Sequence, residues 1–288
     1  MIRNNKILVI GGAGFIGSNL CRELINENEV VCLDNYLSGH SANHIAGVNY
    51  LVGDACNIGE IIIDRDFHYI FHFGEYSRVE QSVSDFELVL NNNLNSILPV
   101  LKFVFECKGA KLIYSGSSTK FGDNGNSIIA SPYAFTKNSN SQLVSYYCSE
   151  RGISHAICYF YNVYGKNEIS DGKYATVVAK FKKLYLAKKP LTVVRPGSQQ
   201  RNFTHIDDVI SAILLIAEKG QGDGYGIGSD EALTVTELAK LFDTEVVYLP
   251  EREGNRMGAR LVNQKTKELG WKAKISIAAH IKDFLDGF

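Results

Sequence analysis

Short apolar runs alternate with longer segments of helical period through the first 160 residues. Ile7-Leu8-Val9-Ile10, Val30-Val31-Cys32-Leu33, Asn49-Tyr50-Leu51-Val52, Tyr69-Ile70-Phe71-His72-Phe73, Lys111-Leu112-Ile113-Tyr114 and the run from His155 to Phe160 read as buried strands. Helical patterns begin at Asn19-Leu20-Cys21-Arg22-Glu23-Leu24-Ile25 and cover roughly 84–107 and 132–150. Such alternation predicts an α/β fold, a doubly wound parallel sheet with helices on both faces and ligands off the C-terminal strand ends. Pro99 lacks a backbone donor inside the first long helix, which predicts a kink or break near Ser96. Beyond Gly165 the rhythm changes to helices at about 173–188, 207–218, 234–242 and 277–286, separated by short strands at Leu191-Thr192-Val193-Val194 and Glu245-Val246-Val247-Tyr248. The expected division is a main domain over 1–163 plus about 203–227, and a smaller C-terminal α/β lobe over 164–202 plus 228–288 that closes over it.

Composition narrows the classes. The 288 residues are 45% apolar and carry a net charge of −1, with no long basic block, so there is no electrostatic argument for nucleic acid or a membrane surface. No apolar run approaches the roughly 20 residues of a membrane span. The N-terminus enters the first strand at once, which leaves no room for a signal peptide. Cys21, Cys32, Cys56, Cys107, Cys148 and Cys158 form no C-x-x-C pair and mostly fall in apolar patterns. They are expected to be reduced core thiols of a cytoplasmic protein with no metal site.

The first candidate chemistry lies at the turn after the first strand. Gly11, Gly14 and Gly17 follow it in a G-x-x-G-x-x-G spacing and lead into the first helix. Gly11 suits the tight turn, Gly14 lets backbone approach a pyrophosphate, and Gly17 lets helix pack on strand. The phosphates would sit on the helix N-terminus. Glycines alone are weak evidence, since any strand–turn–helix joint can carry them. The second strand, however, ends at Asp34, 23 residues after Gly11, where a carboxylate can accept from both hydroxyls of an adenosine ribose. Its plainer alternative is a turn cap before Asn35. Strand, glycines, helix, second strand and acid in that order make a Rossmann-type dinucleotide site the reading. The acid repels a 2′-phosphate and no Arg follows, so NAD is expected rather than NADP.

The second constellation is Tyr133-x-x-x-Lys137 at the start of a helix, after Ser131-Pro132. Spacing of i, i+4 puts both side chains on one face. A phenol normally ionises at about pH 10, and a neighbouring ammonium stabilises its anion, which makes it a usable base. Upstream, Tyr114-Ser115-Gly116-Ser117-Ser118 places hydroxyls at a C-terminal strand end facing the same cleft. One of these hydroxyls, taken as Ser117, could bond a substrate oxygen and position it against Tyr133. By itself Tyr-x-x-x-Lys is a common coincidence on an exposed helix; after the dinucleotide pattern it becomes the candidate catalytic set of Tyr133, Lys137 and Ser117.

With these motifs the chain resembles the extended short-chain dehydrogenase/reductases, the NAD-dependent epimerase/dehydratase group acting on nucleotide sugars. Further support comes from Gly53-Asp54, His72-Phe73-Gly74, Asn92-Asn93-Leu94-Asn95, Tyr161-Asn162-Val163-Tyr164-Gly165, the run from Arg201 to Val209, and Arg252-Glu253-Gly254. The resemblance implies a cofactor site built from Gly11, Gly14, Phe15, Ile16 and Gly17, from Asp34, Asn35, Asp54 and Ala55, and from Phe73, Gly74, Asn92, Ser115 and Phe160. Tyr133 and Lys137 contribute to it as well. It implies a nucleotide-diphosphate sugar as substrate, with Asn162 on the sugar diphosphate region, Arg201 and Arg252 on the diphosphate or the nucleoside, and Ser118 also on the substrate. Two guanidinium forks suit a diphosphate; their plainer alternatives are ion pairs with Asp207 or Asp208, and with Glu251 or Glu253. It also implies a homodimer paired through the helices near 84–107 and 132–150.

Departures bear on the reaction. The 4,6-dehydratases of this group carry an Asp-Glu pair where this chain has Ser118-Thr119, so dehydration is not expected. The Cys that the group's 3,5-epimerase/reductases place near Thr119 is absent. Tyr159 replaces an Arg. Glu75 takes a position normally small and neutral, as an extra substrate contact or an expelled surface carboxylate. Only 15 residues lie between Ser117 and Tyr133, which suggests an altered sugar pocket. The expected activity is NAD-dependent oxidation at C4 of the sugar, ending as a 4-keto product or a C4 epimer. Compact length and that short connection also resemble bacterial enzymes that oxidise GDP-heptose at C4 for capsule polysaccharide. The rival from another class is a non-catalytic NAD sensor or scaffold on the same fold.

Overall fold

The computed structural model describes residues 2–122, 129–251, 258 and 260–287. Strand β1 (Lys6–Ile10) leads through the glycine turn into α1 (Phe15–Leu24), then β2 (Glu29–Asp34), β3 (Asn49–Val52) and β4 (Tyr69–His72). Helix α2 (Asn95–Glu106) returns to β5 (Lys111–Ser117), and α3 (Pro132–Glu150) to β6 (His155–Phe160). Helix α4 (Val177–Leu186) and strand β7 (Leu191–Val194) follow. The chain then comes back through α5 (Ile206–Lys219) and β8 (Gly222–Ile227), and ends with β9 (Val246–Leu249) and α6 (Ile277–Asp286).

The main sheet has seven parallel strands in the order β8-β6-β5-β4-β1-β2-β3. Order reverses at β1, where the first crossover runs to β2 and a later one to β4. That switch point opens a crevice at the C-terminal strand ends. One face buries Leu8, Leu33, Ile70, Val100 and Leu112 under α2 and α3. The other buries Ile7, Val9, Leu20, Ile113, Val209 and Ile213 under α1 and α5. With both faces covered, the strands read as continuous apolar runs rather than alternating ones. After α5, β8 joins the sheet beside β6. A separate apolar cluster gathers Phe181, Leu191, Val193, Leu238, Phe242 and Ile281, and β9 pairs with β7 one residue later than the sequence pattern placed it. No described helix is long and apolar enough to cross a membrane.

The segment expected as one helix over 84–107 is three pieces: Phe86–Val89, a π-type turn over Leu90–Leu94, and α2. The disturbance lies one turn earlier than Pro99 suggested. Ser96 does not break the helix; its hydroxyl donates to the carbonyls of Asn92 at 2.6 Å and Asn93 at 3.2 Å. A π turn displaces carbonyls from the regular ladder and is found mostly at functional sites. Here it turns Asn92 and Asn93 toward the crevice side of the sheet, where both bond residues of neighbouring elements.

Candidate active site

At the end of β1, Gly11 has φ +85°, the left-handed region, and a Cβ there would lie 2.6 Å from the backbone of Gly74. The glycine turn thus packs directly on the β4 exit. Gly17 closes it from the helix side, where a Cβ would lie 2.1 Å from the Gly11 carbonyl oxygen. Gly14 is the least crowded of the three, a Cβ there lying 3.3 Å from the Gly11 carbonyl oxygen. It is the N-cap of α1, no side chain caps it, and the first turn holds no acid. The N–H groups around Phe15 and Ile16 are therefore a ready anion site.

The Asp34 carboxylate holds this turn in place. One oxygen accepts from the Ala13 N–H and the other from the Tyr36 N–H, both at 2.8 Å. Burial raises its pKa above the usual aspartate value, opposed by those two donors. Each oxygen keeps a lone pair for a further donor. A cavity beside it is lined by Gly11, Asp34, Asn35, Asp54, Ala55, Gly74 and Asn92, with Ile10, Leu33 and Gly53. Asn35 ties the rim together, donating to Asp54 at 3.1 Å and Asn92 at 3.0 Å. Two carboxylates and no cation line this cavity, which accommodates ribose hydroxyls and opposes a 2′-phosphate. Phe73 and Phe160 meet edge to face at 5.7 Å across the ends of β4 and β6.

Of the catalytic candidates, Ser117 ends β5, and Tyr133 and Lys137 stand on α3, which packs along that strand. Ser131 caps α3 by accepting from the Ala134 N–H at 3.1 Å, and Pro132 supplies the preset first-turn φ. This fixes Tyr133 and Lys137 on the buried face of α3. The Ser117 oxygen accepts from both the N–H and the hydroxyl of Thr119, at 3.2 and 3.0 Å. With its acceptor sites taken, the Ser117 hydroxyl is left to donate its proton. Tyr133 packs with Tyr76, Val89 and Tyr174. Lys137 donates to the Ser115 carbonyl, to the Ser115 hydroxyl at 3.1 Å and to Glu75 at 2.7 Å.

The family model of the NAD dependent epimerase/dehydratase family matches residues 7–228. The chain belongs to this family. A putative UDP-glucose 4-epimerase of Methanocaldococcus jannaschii is 27% identical over 96% of both chains. UDP-glucuronic acid decarboxylase 6 of Arabidopsis thaliana is 28% identical over 95% of this chain and 86% of its own. A UDP-glucose 4-epimerase structure from Thermotoga maritima, solved with UDP-glucose, superposes with a TM-score of 0.90 at 28% identity and covers 98% of this chain and 99% of its own. NAD is the family's cofactor. The open Gly14 cradle, the uncapped α1 terminus and the Asp34 cavity fit it.

Not every expected site residue joins the crevice in the same way. Glu75 is neither a surface carboxylate nor turned toward open space; its side chain is 1% exposed and faces Lys137. Asn162 has φ +36°, and among the described residues its amide reaches only the Asn202 carbonyl, at 3.5 Å. Arg201 lies on the short strand Gln200–Asn202 and bonds the Gln200 carbonyl at 2.8 Å. Its suggested partners are engaged elsewhere: Asp208 accepts from the N–H groups of Lys274 and Ile275, and Asp207 faces His205. Ser118 begins the short turn Ser118–Phe121 after β5. Arg252 lies outside the described residues. Tyr159, in place of the family's Arg, donates to Asp223 at 2.6 Å and accepts from Lys120, and its ring fills the space a side chain at Gly116 would need.

Two groups in the site, Arg78 and Asn140, carry no sequence signal. Tyr114 and Asn140 both donate to Glu75. The same Asn140 amide donates to the Asn93 carbonyl in the π turn, at 3.0 Å. Arg78 donates to the Tyr174 carbonyl at 2.9 Å, and the hydroxyl groups of Tyr133, Tyr76 and Tyr174 oppose the lowering of its pKa by burial. Neither Arg78 nor Asn140 belongs to a motif. Contacts distant in sequence give them a place: Tyr174 for Arg78, and Glu75 and Asn93 for Asn140.

Proposed function

We propose that the protein oxidises C4 of a nucleotide-linked sugar with NAD, as a 4-epimerase or a 4-dehydrogenase. What supports this reading is that Tyr133 and Lys137 lie on the buried face of α3, which packs along β5, while Ser117 ends that strand and a neutral Ser118-Thr119 pair follows it. Thr119 spends its hydroxyl on Ser117, and no carboxylate stands where an elimination would need an acid/base pair. Bound NAD supplies the hydride acceptor. Ser117 donates to the sugar oxygen and holds it toward Tyr133, which removes the hydroxyl proton. Lys137 fixes the helix face from which the phenol works. Asn162 and Arg201, with Arg252, are proposed to hold the diphosphate.

Likeness to UDP-glucose 4-epimerases over nearly the full chain favours a UDP-hexose and net epimerisation. The GDP-heptose 4-dehydrogenase reading, with its place in capsule assembly, rests on the short connection between Ser117 and Tyr133, which falls partly outside the described residues. Purified protein incubated with UDP-, GDP-, CDP- and dTDP-sugars, with UDP-glucuronic acid and GDP-heptose among them, separates these by NADH absorbance and NMR. Steady conversion to a C4 epimer without net NADH is the expected result. A stoichiometric NADH burst with a 4-keto sugar means a dehydrogenase. Sugar and cofactor left unchanged throughout the panel would overturn the reading.

We also propose a homodimer. Leu98 and Phe105 on α2 and Phe135, Leu143 and Tyr146 on α3 are exposed apolar side chains on two neighbouring helices. Sedimentation at micromolar concentration is expected to give a dimer; a monomer sinks the idea. The same reading keeps the enzyme in the cytoplasm, in line with its six free thiols, and cell fractionation checks it.

A further inference from the structure

Glu75, three residues past the end of β4, and Lys137, one turn along α3 from Tyr133, form an ion pair at 2.7 Å whose side chains are 1% and 4% exposed. We propose that Glu75 is a positioning residue for proton transfer at Tyr133: its carboxylate fixes Lys137 against Ser115 and cancels the ammonium charge behind the phenol. The proposal rests on Tyr133 being the base.

Every bond of the carboxylate is accounted for. Lys137 and Tyr114 reach one oxygen at 2.7 Å each, and Asn140 donates to the other at 2.9 Å. The Lys137 ammonium has three protons, and Glu75, the Ser115 carbonyl and the Ser115 hydroxyl take all three. The other groups that face the pair are neutral. Burial pushes the wholly buried His72 down to about 4, so it is uncharged near pH 7 although Glu75 lies 3.6 Å from its ring. Burial and Glu75 together push the Tyr114 phenol far up, so it stays a donor.

Such a pair is an unpromising stability device. Two buried charges lose hydration that their attraction only partly restores, and apolar residues of similar volume often do as well. What the pair does supply is a local charge close to zero. An ammonium four residues along the helix from a phenol would otherwise stabilise its anion. On the other side, Tyr133 is faced by Arg78, Tyr76 and Tyr174, with Asp85 held by Lys173 behind them. No carboxylate of the described residues pairs with Arg78. In this site the uncompensated cation beside the phenol is therefore Arg78, and the Lys137 charge is reserved.

The test is an ultraviolet titration of tyrosinate in the full chain, each spectrum corrected with the matching Tyr133→Phe background. It needs neither substrate nor turnover, so its failure is distinct from failure of the proposed reaction. Glu75→Gln exposes the Lys137 charge and is expected to lower the Tyr133 midpoint by about one pH unit, roughly tenfold more phenolate at a given pH. Glu75→Gln/Lys137→Met removes both charges and is expected to return the midpoint to within a few tenths of wild type, on the order of a twofold change. The double variant keeps the test decisive even if Glu75→Gln alone does not fold. A wild-type midpoint in Glu75→Gln, or a double variant raised by about a unit, would mean that Glu75 is structural only and overturn the proposal. Once a substrate is known, the acid limb of kcat/KM should move with the titration, while KM stays near wild type.

Discussion

Tyr133→Phe is expected to reduce turnover of the accepted nucleotide sugar by roughly 10²–10⁴-fold, the range for losing a positioned general base. The substitution deletes one oxygen from a ring packed among Tyr76, Val89 and Tyr174. Among the described residues that hydroxyl has no hydrogen-bond partner, so no buried donor or acceptor is orphaned and the melting temperature should hardly move. NAD affinity should also stay within about twofold, because the cavity at Asp34 and the cradle at Gly14 are built from other elements. Binding is followed by calorimetry and turnover by NMR. Unchanged turnover in the variant would remove Tyr133 from the chemistry and favour the sensor or scaffold reading. Loss of NAD binding together with turnover would point instead to a ring that shapes the cofactor site.

How far the site could be read from the sequence depends on how local each feature is. The glycine turn, Asp34, and the Tyr133/Lys137 helix start are local: strand, turn and helix are contiguous, and each cap or left-handed residue sits within a few positions of what it serves. Helix α3 even begins and ends where its pattern placed it, because Ser131-Pro132 is a start signal and Gly152 follows its end. The direction of Glu75 is different. It is decided by residues 39, 62 and 65 positions away, on β5 and α3. Its sequence context shows an acid just past a strand end, which ordinarily means solvent. The π turn is a similar case. Pro99 gives a reason for irregularity in the helix, but its place is set by Asn93 and Asn140 bonding across to neighbouring elements.

The glycine turn makes the sharpest contrast between folding and binding. Gly17→Ala puts a methyl 2.1 Å from the Gly11 carbonyl oxygen and 2.8 Å from Gly12. Backbone cannot yield as a flexible side chain would, so either α1 shifts off β1 or the turn opens. Overpacking of this kind costs about 1–3 kcal/mol. Opening the turn also pulls the Ala13 N–H from Asp34, whose other oxygen anchors Tyr36. Gly17→Ala should therefore lower the melting temperature and weaken NAD binding together, binding by roughly a hundredfold if two phosphate contacts are lost at about 1.5 kcal/mol each. Gly14→Ala tests the other half of the argument. Its methyl meets nothing closer than 3.3 Å in the protein and projects at the helix N-terminus where a pyrophosphate would lie. That variant should melt near wild type and still lose NAD. Calorimetry and thermal melts on the two proteins settle the matter. If Gly14→Ala binds NAD as wild type does, the dinucleotide does not approach α1, and the cofactor cradle argued from Gly14 is wrong even though the fold is right.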